Sequence, residues 1–188
     1  TEFRKVVFEN VLPHSIQWHT RRINEHWDKS PKSIDEKIKI ADGFFEKRRN
    51  AQLARDVRIY VSNQEKGRLP EDWDPNKSNI VIFNSSEDEF AAIGDEFDAL
   101  AIFSSQENGI NYILENVTDK SIHFYLRIHP NLKDVPYGYH KRLLKLPIKY
   151  DNITVIEADS TVSTYALMDH ASKIVVFGST TGVEACYW

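Results

Sequence analysis

Cysteine is almost missing from this chain. Cys186 is the only one in 188 residues, so an intramolecular disulfide framework is excluded and a reducing compartment is the natural expectation. No uninterrupted apolar run approaches the roughly 18 residues of a membrane-spanning helix. The first thirty residues also lack an apolar stretch of signal-peptide length. A formal charge of -4 gives no reason to expect a nucleic-acid partner. Two phosphate-binding signatures are absent as well: there is no Walker pattern and no GxGxxG, which removes support for nucleoside triphosphate hydrolysis and for ordinary dinucleotide binding. What remains is an ordinary globular composition, 41% hydrophobic and 28% charged, expected of a soluble cytosolic chain with one sizeable core.

The chain reads in three parts. Residues 1–61 are rich in charged residues and aromatics, with apolar residues at helical spacing. Ser33 followed by Glu36 forms a capping-box start for a helix through Ile38, Ile40, Phe44 and Phe45. His14, His19 and His26 are spaced by five and seven residues. That does not stack two ligands on one helical face, so no metal site is expected there. Residues 62–79 carry Gly67, Pro70 and Pro75 and read as a linker or long loop. From residue 80 the pattern alternates. Strands are expected at Ile80–Phe83, Ile122–Ile128, Ile153–Ile156 and Lys173–Phe177. Helices are expected after Glu87, at Gly109–Asn116, within Pro136–Pro147, at Thr161–His170 and from about Thr181. This order predicts an α/β fold, a Rossmann-like parallel sheet with helices on both faces, preceded by a mainly helical segment.

Ligands of such sheets bind at the carboxyl ends of the strands. Four segments should therefore converge on one rim: Asn84–Asp88, His129–Asn131, Glu157–Ser160 and Gly178–Thr181. Ser85 and Ser86 offer hydroxyls there. Glu87 and Asp88 either favour a helix N-terminus or serve as an acceptor base. In "LRIHPNL" (126–132) Pro130 ends the strand. His129 then either meets a phosphate or bonds a loop carbonyl. Arg127 alternates with His129 on the same face, as added charge near a phosphate or as a structural ion-pair partner. In "KIVVFGSTTGVEACYW" (173–188), Ser179, Thr180 and Thr181 precede a helix whose first N–H groups lack internal partners. They either cap that helix or hold an anion. Glu184 either accepts the hydroxyls of a ribose or closes a capping box with Thr181. The basic stretches Lys47–Arg49 and Lys141–Lys145 either approach an anionic lipid or glycan or, as such runs more often do, form solvated helix faces.

Together, "NIVIFNSSEDEFAAIGDEFD" (79–98), "LRIHPNL" and "SKIVVFGSTTGVEACYW" (172–188) resemble the nucleotide-sugar-binding half of GT-B type bacterial capsule and lipopolysaccharide polysaccharide glycosyltransferases. The His-Pro step is also similar to one in bacterial sialyltransferases and capsule Kdo transferases. The resemblance implies that His129, Pro130, Ser179, Thr180 and Thr181 contact the donor phosphate and that Glu184 approaches the ribose. Residues 156–159, Glu157 among them, would border the nucleobase. It implies a CMP- or UDP-linked sugar as donor, a glycan or glycolipid acceptor, no further cofactor, and a cytoplasmic location with peripheral association at the inner face of the membrane. No DxD-type loop sits at the rim, so no obligatory metal is expected. GT-B chains continue beyond the ribose-binding helix, which leads us to expect a portion of a longer transferase. A teichoic-acid-type polyol-phosphate transferase and a non-catalytic Rossmann-like assembly module are the competing readings.

Overall fold

The structure is a computed structural model and describes residues 15–53, 59–87, 99 and 101–188. Its centre is a four-stranded sheet in the order β3-β2-β1-β4. The strands are β1 (Ser78–Phe83), β2 (Ile122–Arg127), β3 (Ile153–Ile156) and β4 (Lys173–Val176). All neighbouring pairs are parallel: Ile82 lies opposite Leu126 and Val175, and Leu126 opposite Val155. The strands are rich in Ile, Val, Phe and Leu because both faces of the sheet are covered, although β2 also carries His123, Tyr125 and Arg127. On one face Ile82, Phe124, Leu126 and Ile153 pack with Ile110, Leu114, Leu143 and Leu146. On the other, Val81, Phe83, Tyr125 and Ile156 pack with Tyr165, Leu167 and Met168.

The helices divide between these faces. α1 (Ile16–Lys29) and α2 (Ile34–Arg49) form the N-terminal segment, while α3 (Gln106–Asn116), α4 (Gly138–Leu143) and α5 (Leu146–Lys149) supply the first face. α6 (Thr164–His170) supplies the second, and α7 (Thr181–Tyr187) follows β4. The connections from β1 to β2 and from β2 to β3 thus cover one face, and the connection to β4 covers the other. That change of side puts the topological switch point between β1 and β4.

Local chemistry accounts for the element ends. The capping box of α2 forms as expected: Glu36 N–H donates to Ser33 Oγ at 3.2 Å and Ser33 N–H to Glu36 Oε2 at 2.8 Å. Ser105 and Ser163 cap α3 and α6 with a single bond each, their hydroxyls accepting from Asn108 N–H and Ala166 N–H. Gly109 lies inside α3, where a side chain would meet the Phe177 ring at 2.4 Å, so the helix approaches the end of β4 only because that position is bare.

Residues 62–79 are irregular up to β1, in keeping with their Gly and Pro, yet they do not hang free as a linker would. Val61, Leu69 and Trp73 pack on the second face of the sheet. The Trp73 ring stacks on Tyr125 at 4.7 Å, and Tyr125 Oη donates to the Asp72 carbonyl. Aromatic area buried on the sheet holds the strap down.

Beneath it, His123 Nε2 lies 2.9 Å from Thr154 Oγ1, whose hydroxyl also bonds the Asp72 carboxylate. Burial holds the His123 imidazole below its ordinary pKa, against the pull of Asp72 and with a smaller push from Lys77. The unfolded chain therefore takes up this proton more readily than the folded one. The contribution is complete above pH about 6.5 and is lost as pH falls towards the lowered folded value. Urea titrations should show stability declining below that pH, and His123→Gln should flatten the decline. An unchanged slope in the variant would exclude His123 as its source.

Candidate functional site

The carboxyl ends of β1, β2 and β4 enclose a cleft at the switch point. Phe83 and Asn84 reach it from β1, Arg127 to Pro130 from β2, and Ser179 to Thr181 with Glu184 from the segment after β4. Arg48 of α2, Tyr60 and Gln64 of the strap, and Tyr165 of α6 complete its wall. The concavity spans about 760 Å³ open to solvent, and about 90 Å³ of it stands clear enough of every atom to seat water-sized groups.

Its floor is built from strand ends. His129 N–H donates to Asn84 Oδ1 at 2.8 Å, tying β2 to β1. Asn131 N–H donates to His129 Nδ1 at 3.2 Å. With Nδ1 accepting, the proton of a neutral His129 ring resides on Nε2, making that nitrogen a donor. Tyr60 packs edge-on against the imidazole at 5.3 Å and steadies it.

Arg127 is only 3% exposed although it lines the cleft. Nη1 and Nη2 donate to the carbonyls of Glu157 and Ser160 at 2.7 and 3.0 Å, while Nε–H has no partner among the described residues. Burial pushes its pKa down to about 10, and Asp159 only partly offsets this. The group stays charged at neutral pH. It is not the carboxylate-bonded ion pair that one reading of the sequence allowed; its bonds go to backbone carbonyls, and Asp159 instead lies 3.7 Å from Lys133. The cleft thus holds a buried positive charge that no carboxylate of the described residues contacts.

Glu184, 5% exposed, sits across from it. Oε1 accepts from Arg48 Nε and Nη2 at 2.9 and 2.6 Å, and Oε2 accepts from Tyr165 Oη at 2.5 Å. Burial works against the charge of Arg48, but the hydrogen bond and charge of Glu184 outweigh it and hold the guanidinium above its ordinary value. Burial, reinforced by Glu184, raises the Tyr165 hydroxyl well above the usual tyrosine range.

The loop after β4 corrects the capping expectation. Gly178 turns the chain with φ of 67°, Ser179 Oγ accepts from Thr181 N–H at 3.2 Å, and Thr180 is the N-cap residue without a side-chain bond. Thr181 forms no box with Glu184. Its hydroxyl accepts from Ser179, and the carboxylate turns to Arg48 and Tyr165 because a guanidinium is the stronger partner.

Of the residues singled out in sequence, Arg127, His129, Pro130, Ser179, Thr180, Thr181 and Glu184 meet in this cleft. Ser85, Ser86, Glu87 and Glu157 do not line it. Ser85 is buried, with its hydroxyl spent on the Phe177 carbonyl at 2.6 Å, and Ser86 is equally buried. Glu87 accepts from Gln106 N–H at 3.0 Å and so serves the start of α3, not an acceptor hydroxyl. Glu157 exposes its side chain and spends its carbonyl on Arg127. Asp88 and His14 lie outside the described residues.

Arg48, Tyr60 and Tyr165 escaped the sequence reading, since each reaches the cleft from an element without a rim motif. Asn84, directly after β1, was within the expected rim segment. Among the described residues no group of three His, Cys, Asp or Glu side chains is placed to hold a metal, and no helix is long and apolar enough to cross a membrane. Comparison with protein-family models, with curated proteins and with solved structures gives no match.

Proposed function

We propose that this cleft binds the phosphate-bearing part of a nucleotide-sugar donor, and that the chain serves a glycosyltransferase acting on a bacterial surface polysaccharide or glycolipid. The observation that carries the reading is Arg127, a buried guanidinium lining the switch-point cleft with one donor unpartnered and no carboxylate in contact among the described residues. A charge held in that way calls for an anion. His129, with its ring proton on Nε2, and the hydroxyl of Thr181 suit the same ligand.

In the proposed reaction the bond from the anomeric carbon to the donor phosphate oxygen breaks, and that oxygen keeps the electron pair. Arg127 and His129 stabilise the charge it gains. The acceptor hydroxyl oxygen forms the new bond to the anomeric carbon and gives its proton to a base. Glu184 is a poor candidate for that base, because both of its carboxylate oxygens are already taken, one by Arg48 and one by Tyr165. Glu87 is committed to α3. The base is therefore assigned to neither.

Titration with CMP, UDP, GDP and CDP beside the corresponding nucleosides tests the reading. Nucleotides should raise the melting temperature by mass action, and nucleosides at the same concentration should raise it far less. Equal effects of the two sets would contradict a phosphate site, and none from either would favour the non-catalytic module.

A further inference from the structure

We propose that Arg48 is a second phosphate-binding residue of the cleft, so that α2 completes the anion site built by the sheet. The inference rests on the donor-site reading and extends it to a segment lying 136 residues from Glu184 in the chain. Arg48 ends a helix that contributes no buried residue of its own, yet its side chain is only 18% exposed and lines the same cleft as Arg127.

The geometry of the ion pair supports this role. A guanidinium has five N–H donors on a rigid fork. The Nε and Nη2 edge of Arg48 goes to one oxygen of Glu184. Nη1 makes no hydrogen bond to Glu184, and although the Tyr165 hydroxyl also reaches the guanidinium, the edge of the fork opposite Glu184 is the one a bidentate ligand would take. Phe44 packs against the guanidinium at 5.7 Å. Glu184 and Phe44 thus hold the group at the cleft before any ligand arrives, so little side-chain freedom is lost on binding.

One consequence follows for the N-terminal segment. Beside Arg48, Arg49 pairs with Asp169, Phe45 stacks on Tyr187 at 4.1 Å, and Tyr187 Oη donates to Asp42 at 2.5 Å. If Arg48 binds the anion, docking of α2 and anion binding reinforce each other by linkage.

Calorimetry with inorganic pyrophosphate tests the proposal on the intact chain and on Arg48→Gln, Arg48→Lys and Arg127→Gln, alongside hydrogen exchange of residues 34–49. Arg48→Gln should weaken pyrophosphate binding by about tenfold or more. Arg48→Lys should recover only part of that, since it keeps the charge and loses the fork. Pyrophosphate should slow exchange in α2 of the parent chain and not in Arg48→Gln. Parent-like affinity in both Arg48 variants, with affinity lost in Arg127→Gln, would overturn the role of Arg48 alone and leave it a tether. Absence of pyrophosphate binding by the parent chain would overturn this inference together with the donor-site reading. Should Arg48→Gln fail to fold, Arg48→Lys decides, because it preserves the ion pair with Glu184.

Discussion

Arg127→Gln should reduce pyrophosphate or nucleotide affinity by about 100-fold while costing the fold only about 1–3 kcal/mol. The two effects separate because Arg127 has two distinct loads. Its Nη atoms hold the loop after β3 through the carbonyls of Glu157 and Ser160. Glutamine keeps one donor for one of these, so the loss is about one hydrogen bond. The positive charge itself adds nothing to stability without an anion, since burying it is costly and Asp159 only partly offsets that cost. With an anion bound, the same charge becomes the strongest recognition element of the cleft. Calorimetry and urea unfolding on one preparation measure both quantities. A loop anchor and nothing more would lose stability with affinity unchanged.

Glu184→Ala should destabilise the chain by about 2–3 kcal/mol, the largest loss expected from any single polar side chain of the cleft. The substitution leaves the Arg48 guanidinium and the Tyr165 hydroxyl, both largely buried, without their acceptor. Glu184→Gln keeps one oxygen and much of the shape, so roughly half of that loss is expected. The urea midpoint should fall without a change in slope if α2 and the sheet unfold as one unit. An added early transition in Glu184→Ala would mean that α2 has come loose by itself. A midpoint within experimental error of the parent would contradict the importance given to this ion pair.

Much of the frame was legible from residue order. The run "NIVIF" is largely buried and "KIVV" partly so, and their β-branched density marks strands, as Ser33 with Glu36 marks a helix start. The rim follows from alternation alone, which places His129, Pro130 and the Ser179–Thr181 loop at the carboxyl ends of the strands. Partner choice was not legible in the same way. Lys47–Arg49 resembles any solvated basic helix end, and nothing local distinguishes Arg48, whose carboxylate lies on α7. Arg127 was placed on the correct face, but its carbonyl partners depend on how the loop after β3 folds back. Ser85 and Glu87 have side chains suited to a rim, yet the first turn of α3 and the end of β4 claim them. The polar content of residues 62–79 suggested a linker because a few apolar anchors, Leu69 and Trp73 among them, carry the whole packing of the strap.

The most direct test of the cleft as an anion site is the ¹⁵N spectrum of the His129 imidazole during a pyrophosphate titration. Nδ1 already accepts from Asn131 N–H, so saturable movement should be greater at Nε2 and should vanish in Arg127→Gln. Imidazole signals that stay in place while pyrophosphate reaches millimolar concentration would contradict the assignment of this cleft to a phosphate-bearing ligand.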